Sequence, residues 1–293
     1  MSARYPRWLR RPFSPDGVAR EVRALVGELG LATVCESARC PNLPECHARR
    51  QLTFMILGEV CTRRCRFCAV GHGRPRPPAE DEPERVAEAV ARLELRHVVI
   101  TSVARDDLRD EGAGQFVAVI HAVRARTPGV TVELLTPDFH GREELVRQVL
   151  EGGRPEVFAH NLETVERLSP LVRPQADYRR SLRVLALAAK LGQATLIKSS
   201  LMVGFGETPA ELAAAFGELR RAGVTHLTIG QYLRPDAWHL PVMEYVSPQR
   251  FDEHAALAAR AGFAWVRSGP FVRSSYHAVD ALHPAAPAAE NGA

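Results

Sequence analysis

Every cysteine of the chain falls between positions 35 and 68, in two groups of three: Cys35-x4-Cys40-x5-Cys46 and Cys61-x3-Cys65-x2-Cys68. A cubane iron–sulfur cluster normally takes four thiolates, one per iron. Three per group leave one iron of each cluster without a cysteine. An iron with an open position can bind and activate a substrate, whereas a fully capped cluster usually moves electrons. Zinc is the competing chemistry, and structural zinc sites favour paired C-x2-C knuckles. Cys65-x2-Cys68 has that spacing, but no second knuckle follows it. Cys40 and Cys46 with His47 or His72 would still make a zinc set. Two triplets with no cysteine left over favour iron–sulfur over zinc or a disulfide framework.

The setting supports this choice. Residues 1–11 lack the apolar stretch of a secretory signal. A cytoplasmic location is therefore expected, where clustered thiols do metal or redox work. No apolar run approaches the ~20 residues that span a membrane, so no membrane partner is expected. A net charge of +4 is mild, and no nucleic-acid recognition motif accompanies it. Two lysines stand among many arginines, Lys190 and Lys198. Lys190 ends a helical pattern and reads as surface charge. Lys198 lies inside an apolar strand pattern, where an ammonium is costly without a partner.

These residues need a scaffold. Ser14-Pro15-Asp16 reads as a helix start. Val18, Val22, Leu25, Val26 and Leu29 continue it, and Gly30 stops it. The first cysteine group occupies a loop broken by Pro41 and Pro44. From residue 52 the pattern alternates. Strands are expected over 52–57, 97–103, 131–136, 156–160, 195–203 and 226–232, with helices over 82–93, 115–126, 142–150, 181–191, 209–221 and 248–261. Thr208 and Glu211 form a capping box before Leu212. Six β/α units predict a parallel sheet with right-handed crossovers. Curved in one direction they give a partial (β/α)6 barrel; a doubly wound open sheet competes, and pattern alone does not separate the two. Residues 1–50 then form an N-terminal extension, 51–262 the barrel and 263–277 a C-terminal segment. The tail 278–293, rich in alanine and proline, is expected to be disordered.

Function in such a barrel sits on loops leaving the C-terminal ends of the strands. The expected loops are polar: Cys61, Cys65 and Cys68; Arg105-Asp106-Asp107; Asp138 and His140; Asn161 and Glu163; Glu207; Arg234. Asp138, His140 and His226 read as structural. Arg63, Arg64 and Arg66 interleave the second cysteine group and read either as solvated charge or as a counter to an anionic cluster or an acidic partner.

Cys61-x3-Cys65-x2-Cys68, with Phe67 before the last cysteine, resembles the signature of the radical S-adenosylmethionine (SAM) superfamily. The wider likeness runs from about Val34 to His277. It is carried by Cys35-Glu36-Ser37-Ala38-Arg39-Cys40-Pro41-Asn42, by Cys61-Thr62-Arg63-Arg64-Cys65-Arg66-Phe67-Cys68, by Asn161-Leu162-Glu163, by Thr228-Ile229-Gly230-Gln231-Tyr232 and by Arg273-Ser274-Ser275-Tyr276. On these stretches the chain resembles the lipoyl synthase family. The resemblance implies a radical SAM partial barrel with two [4Fe–4S] clusters. Cys61, Cys65 and Cys68 would hold the one that binds SAM, and Cys35, Cys40, Cys46 and Ser275 an auxiliary one. The implied reaction inserts two sulfur atoms at C6 and C8 of an octanoyl group on a lysine of a lipoyl carrier domain. The auxiliary cluster supplies the sulfur and is consumed, and the two clusters would face one another across one cavity. Implied partners are the octanoylated carrier, an electron donor such as ferredoxin or flavodoxin, and an iron–sulfur cluster carrier. Asn161 and Glu163 are candidates to bond the SAM ribose and Lys198 the methionine carboxylate, against a helix cap and a buried salt bridge as plainer roles. Four positions depart from the family pattern: His47, Ala104, Ala159 and Ser200. Two further functions stay open here, a radical sulfur-inserting enzyme acting on a small free molecule and a non-enzymatic metal protein.

Overall fold

Strands β1 (Ala32–Thr33), β2 (Thr53–Ile56), β3 (Val60–Cys61), β4 (Gly71–His72), β5 (His97–Ser102), β6 (Thr131–Leu135), β7 (Val157–Ala159), β8 (Leu196–Val203), β9 (His226–Gln231) and β10 (Trp265–Gly269) follow in chain order in the computed structural model. It describes residues 5–10, 17–192 and 195–282. β3 and β4 pair with each other, and the rest form one sheet in the order β1-β2-β5-β6-β7-β8-β9-β10. From β2 to β10 every pairing is parallel; β1 joins β2 antiparallel. The order never reverses. A doubly wound sheet requires a reversal, so the fold is the partial barrel. Ser14–Asp16 lie outside the described residues, and the helix expected there runs Gly17–Glu28.

The outer face of the sheet is apolar. Phe54, Ile56, Val98, Ile100, Val132, Leu134, Phe158, Ile197, Leu227 and Ile229 are buried in the layer beneath the helices, each contributing about 1.5–3 kcal/mol over exposure. Residues that alternate with them face the lumen. Register aligns Thr53 with Val99 and Val99 with Glu133, then Lys198 with His226 and Ser200 with Thr228. That inner wall mixes polar and apolar side chains, and its Lys198 charge is paired with Glu133.

Three sequence expectations change. A seventh barrel strand, β10, follows the helix Pro248–Arg260. Its residues are all half-buried, so Trp-Val-Arg-Ser-Gly carries no clean alternation. The helix expected over 142–150 is α-helical for Glu143–Arg147 and widens into a π turn over Gln148–Gly153. The tail expected to be disordered from 278 begins as a 3-10 turn, Ala278–Ala281. It is anchored where His226 Nε2 meets the Ala281 carbonyl at 3.0 Å. Residues 283–293 lie outside the described set.

Candidate metal centres

The loop after β2 carries Cys61, Cys65 and Cys68, and its backbone is tied to the C-terminal ends of several strands. Both oxygens of Glu82 accept from the Leu57 N–H at 3.0 Å where the chain leaves β2. The Ala104 N–H donates to Cys61 Sγ at 3.3 Å, and the Arg63 N–H does so at 3.4 Å. Thr62 donates from its N–H and its hydroxyl to the Ala104 carbonyl. The Arg66 N–H donates to Val172, the Leu240 N–H to Arg66, and His239 Nε2 meets the Cys68 carbonyl at 2.9 Å.

Arg63 is buried rather than solvated. It forks onto Asp106 and reaches Asp138 at 2.8 Å, while Arg180 holds Asp138 from the other side at 2.8 Å. Burial pushes the Asp138 carboxyl up, but Arg63, His160 and Arg180 outweigh it and hold it near about 2. Arg63 therefore pins the loop to β5 and β6 and is not a free cation. Arg64 and Arg66 are exposed.

Two of the thiols, Cys65 and Cys68, are poor acids here. Burial raises Cys65 to about 11, with Glu163 and Cys61 adding to it against Arg173. Burial likewise raises Cys68 to about 12, with Cys65 and Cys61 contributing. The three groups thus lie within electrostatic reach of one another. Glu163 sits beside them at φ 68°, an unfavourable backbone for a non-glycine residue. It is held there by Glu163 N–H to Ser200 and Met202 N–H to Glu163. Burial raises its carboxyl, opposed by Arg173 and by Asn161, whose Nδ2 donates to it at 3.1 Å. Asn161 Oδ1 is buried with no partner. An orphaned acceptor and a desolvated carboxylate beside three thiols suit a ligand bearing hydroxyl donors.

The first cysteine group lies at the other end of the barrel. Cys35 sits in the short helix Val34–Ser37, capped by Thr33, and Cys46 in Leu43–Ala48. Cys35, Cys40, Cys46, Thr53, His97 and Ser275 share the lining of a cavity of about 370 Å³. Thr53 connects the two chain ends. Its hydroxyl donates to Ser275 Oγ at 2.9 Å, and its backbone hydrogen-bonds the Cys35 thiol, which burial raises to about 11. Asn42 donates to the Phe271 carbonyl at 2.6 Å, and Tyr276 donates to Glu45 at 3.2 Å. Gly230 on β9 makes this docking possible, because a Cβ there would stand 2.0 Å from the Val272 carbonyl.

The spacing of the thiols bears on the metal. Tetrahedral zinc at ~2.3 Å would draw its sulfurs to roughly 3.8 Å apart. Among the described residues neither triplet brings its three sulfurs within 4.8 Å of one another. Neither triplet is drawn up around a single ion, and the first borders an open cavity.

Residues 55–219 match the radical SAM superfamily. The chain is 54% identical over 275 residues to the lipoyl synthase of Methylococcus capsulatus, covering 94% of this chain and 85% of that one. It is 51% identical over 278 residues to the lipoyl synthase of Caldanaerobacter subterraneus, covering 95% and 97%. The chain belongs to the lipoyl synthase family. It is thus a radical SAM enzyme, a class that uses SAM and a [4Fe–4S] cluster. The fold is shared with methylornithine synthase at TM-score 0.52 and 14% identity, covering 87% of this chain and 83% of that one. A maturase of the [FeFe]-hydrogenase aligns at TM-score 0.56 and 13% identity, covering 89% and 74%.

One expectation for this lipoyl synthase family member is corrected by its geometry. Lys198 does not reach toward the SAM-side thiols. Its ammonium lies on Glu133 at 2.8 and 3.0 Å, both side chains 1% exposed, so the buried salt bridge is its role. The lining around Cys35 and Ser275 includes residues 93–97 at the N-terminal ends of the strands, whereas Cys61, Cys65 and Cys68 sit at the C-terminal ends. Of the departures, Ala104 acts through its backbone N–H, Ala159 and Ser200 are buried on the lumen wall, and His47 is buried beneath the first helix. Sequence reasoning missed Thr53, His97 and His239. Thr53 and His97 lie on apolar strands and His239 in a loop, with no motif to mark them. Among the described residues no helix is long and apolar enough to cross a membrane.

Proposed function

We propose that the chain inserts two sulfur atoms, at C6 and C8, into an octanoyl group amide-linked to a lysine of a lipoyl carrier domain. Cys61, Cys65 and Cys68 would hold the [4Fe–4S] cluster that, with SAM, supplies a carbon radical able to take hydrogen from an unactivated carbon. Asn161 Oδ1 and Glu163 offer two acceptors for ribose hydroxyls beside those thiols. Cys35, Cys40, Cys46 and Ser275 would hold the second cubane, which serves as the sulfur-donating substrate. The observation that carries the reading is the Ser275 hydroxyl in one cavity with those three thiols. Oxygen is a harder, poorer partner for iron in a sulfide cluster than thiolate is. The Thr53 hydroxyl, donating to Ser275 Oγ, draws charge from that oxygen and weakens its hold further. That corner would therefore be the most weakly held. The carrier domain, a ferredoxin or flavodoxin as reductant, a cluster carrier to rebuild the spent cubane, and a cytoplasmic setting complete the proposal.

Ser275→Cys tests it. Anaerobically reconstituted wild type should bind about eight irons, as two cubanes require, and convert an octanoylated peptide to a product with two added sulfurs by mass spectrometry. Ser275→Cys should keep the iron and lose most of the product. Wild-type product from that variant would refute the role of Ser275.

A further inference from the structure

Arg173 is 5% exposed, and among the described residues its guanidinium bonds neutral acceptors only. Nη1 donates to the Asn161 carbonyl at 3.2 Å and to the Leu162 carbonyl at 2.8 Å, and Nη2 donates to Ser181 Oγ at 3.3 Å. A buried guanidinium ordinarily forks onto a carboxylate. This one holds the two carbonyls on the path from Asn161 to Glu163. The bonds beyond it have fixed directions. The Thr136 carbonyl can only accept, so His160 Nδ1 carries the proton and donates to it at 2.9 Å. His160 Nε2 then accepts from the Ser181 hydroxyl at 3.0 Å, and Ser181 Oγ accepts from Arg173. Burial, with Arg173 adding to it, holds the His160 pKa to about 4, so the ring is neutral, as that sequence of donors requires. Ser199 completes the brace, donating to the His160 carbonyl at 2.9 Å and accepting from the Leu162 N–H at 3.2 Å.

The neighbours of Arg173 hold the cysteine loop. The Val172 carbonyl accepts from the Arg66 N–H at 2.9 Å. Gln175 Oε1 accepts from the Arg64 N–H at 2.6 Å, and Gln175 Nε2 reaches the Thr62 carbonyl at 3.5 Å. The Arg173 N–H is itself fixed on the Ser169 carbonyl at 2.8 Å, at the end of the short helix Ser169–Val172. Residues 172–175 therefore bond two separate parts of the chain, the loop between Cys61 and Cys68 and the turn that carries Asn161 and Glu163. Arg173 also lies within electrostatic reach of Cys65 and Glu163, opposing the rise that burial imposes on both. A binding constellation works only when its members are held within about 0.5 Å of their productive places. We propose that Arg173 is a positioning residue for SAM: its fork, with Gln175 on the loop side, sets the spacing between the cysteine loop and the acceptor pair Asn161 and Glu163. The inference rests on the reading of Cys61, Cys65 and Cys68 as cluster ligands and of Asn161 and Glu163 as ribose acceptors.

The test uses the reconstituted full chain, with SAM and 2′,3′-dideoxy-SAM as probes and affinities from anaerobic equilibrium dialysis. Wild type should bind SAM about tenfold or more tighter than the analogue, which offers the acceptor pair no hydroxyl. Arg173→Lys keeps the charge but not the fork. It should keep the iron and the cluster signal at Cys61–Cys68, lose about tenfold in SAM affinity and bind the analogue as wild type does, the pattern of two changes that remove one interaction. Gln175 is exposed, so Gln175→Ala disturbs the same clamp without a buried change; it should weaken SAM about threefold and leave the analogue alone. Arg124→Gln frees the Gly153 and Arg154 carbonyls elsewhere on the barrel and should leave both affinities at the wild-type level. SAM affinity at the wild-type level in either clamp variant overturns the proposal, and Gln175→Ala alone decides if Arg173→Lys does not load its cluster. An equal loss for SAM and the analogue also overturns it, because Arg173 would then act on some other part of the site. A wild type that binds the two probes equally removes the ribose reading and the proposal with it, whereas a wild type that discriminates beside unaffected variants removes the positioning role alone.

Discussion

Removing the Lys198 ammonium should destabilise the fold strongly. Lys198 and Glu133 are each 1% exposed and meet through two contacts of 2.8 and 3.0 Å. No third group takes over the charge. His97 lies 3.9 Å from Glu133, but burial, reinforced by Lys198, holds its pKa to about 4, so it is neutral. Lys198→Met leaves a buried carboxylate unpaired, a loss of about 3–5 kcal/mol near pH 7. The pH dependence has a definite sign. Burial alone raises the Glu133 pKa, and Lys198 opposes that rise. In the variant the folded carboxyl titrates above its unfolded value, so the protonated form is favoured. Its contribution is then full below the unfolded pKa and lost as pH rises through the folded one. The variant should be closest to wild type at pH 5 and furthest at pH 8. Lys198→Met with Glu133→Leu removes both charges and should recover at least about 2 kcal/mol. Urea unfolding of the reduced chain at three pH values, followed by far-ultraviolet circular dichroism, measures all of this. A single variant that costs under about 1 kcal/mol, or a double variant as weak as the single, refutes the reasoning. SAM affinity supplies an independent check: it should survive in the double variant, and a tenfold loss there would return Lys198 to the ligand.

Three more outcomes follow from named contacts. Gly230→Ala drives a Cβ into the Val272 carbonyl and should unseat the segment carrying Ser275, so bound iron should fall from about eight toward four per chain, with the Cys61–Cys68 signal kept. His47→Phe should raise stability by about 1–3 kcal/mol in a thermal melt, because both ring nitrogens of a fully buried His47 lack partners and an unmet buried donor costs that much. His97 and His160 are each held to about 4, chiefly by burial, so the unfolded chain takes up their protons first and stability should drop as pH falls from 6.5 toward 4, by roughly 3 kcal/mol each at the limit; a flat profile over that range would contradict it, and His160→Gln should flatten it in part.

Much of the barrel was legible because its strands and helices carry clean signals. Thr208 and Glu211 form the expected capping box, and the apolar outer faces of β2, β5, β6, β8 and β9 gave the strand positions to within a residue or two. β10 was not legible. Val266, Arg267 and Ser268 are all half-buried, and Arg267 faces an ion pair with Asp280 at 2.9 Å rather than a uniform core or solvent. The second cysteine group was legible as a candidate site because its three cysteines are close in sequence. The first group was legible as a set of three, but its partner Ser275 is brought in by Thr53, Asn42 and Gly230, which act through single long-range contacts that leave no local pattern.

Lys198 shows where such reading stops. A lysine in an apolar strand demands a counter-charge, and that inference follows from transfer energetics alone. It does not say whether the charge comes from a ligand or from the protein. Glu133 is 65 positions earlier on a strand whose outer residues, Val132 and Leu134, read as core. The alternation Val-Glu-Leu fits a half-polar strand equally well with Glu133 facing solvent or facing the lumen. Only parallel closure of β6, β7 and β8 decides between them, because the register sets Ala159 opposite both Leu135 and Lys198 and so turns Glu133 and Lys198 to the same side. A small Ala159 between those strands leaves the space in which the two long side chains meet. Filling it with Asn puts a polar group at the same junction, so Ala159→Asn should be tolerated while Ala159→Leu, which lies on the 0%-exposed lumen wall, should cost about 1–3 kcal/mol through overpacking; equal melting temperatures for the two variants would show that the space is not filled by the ion pair.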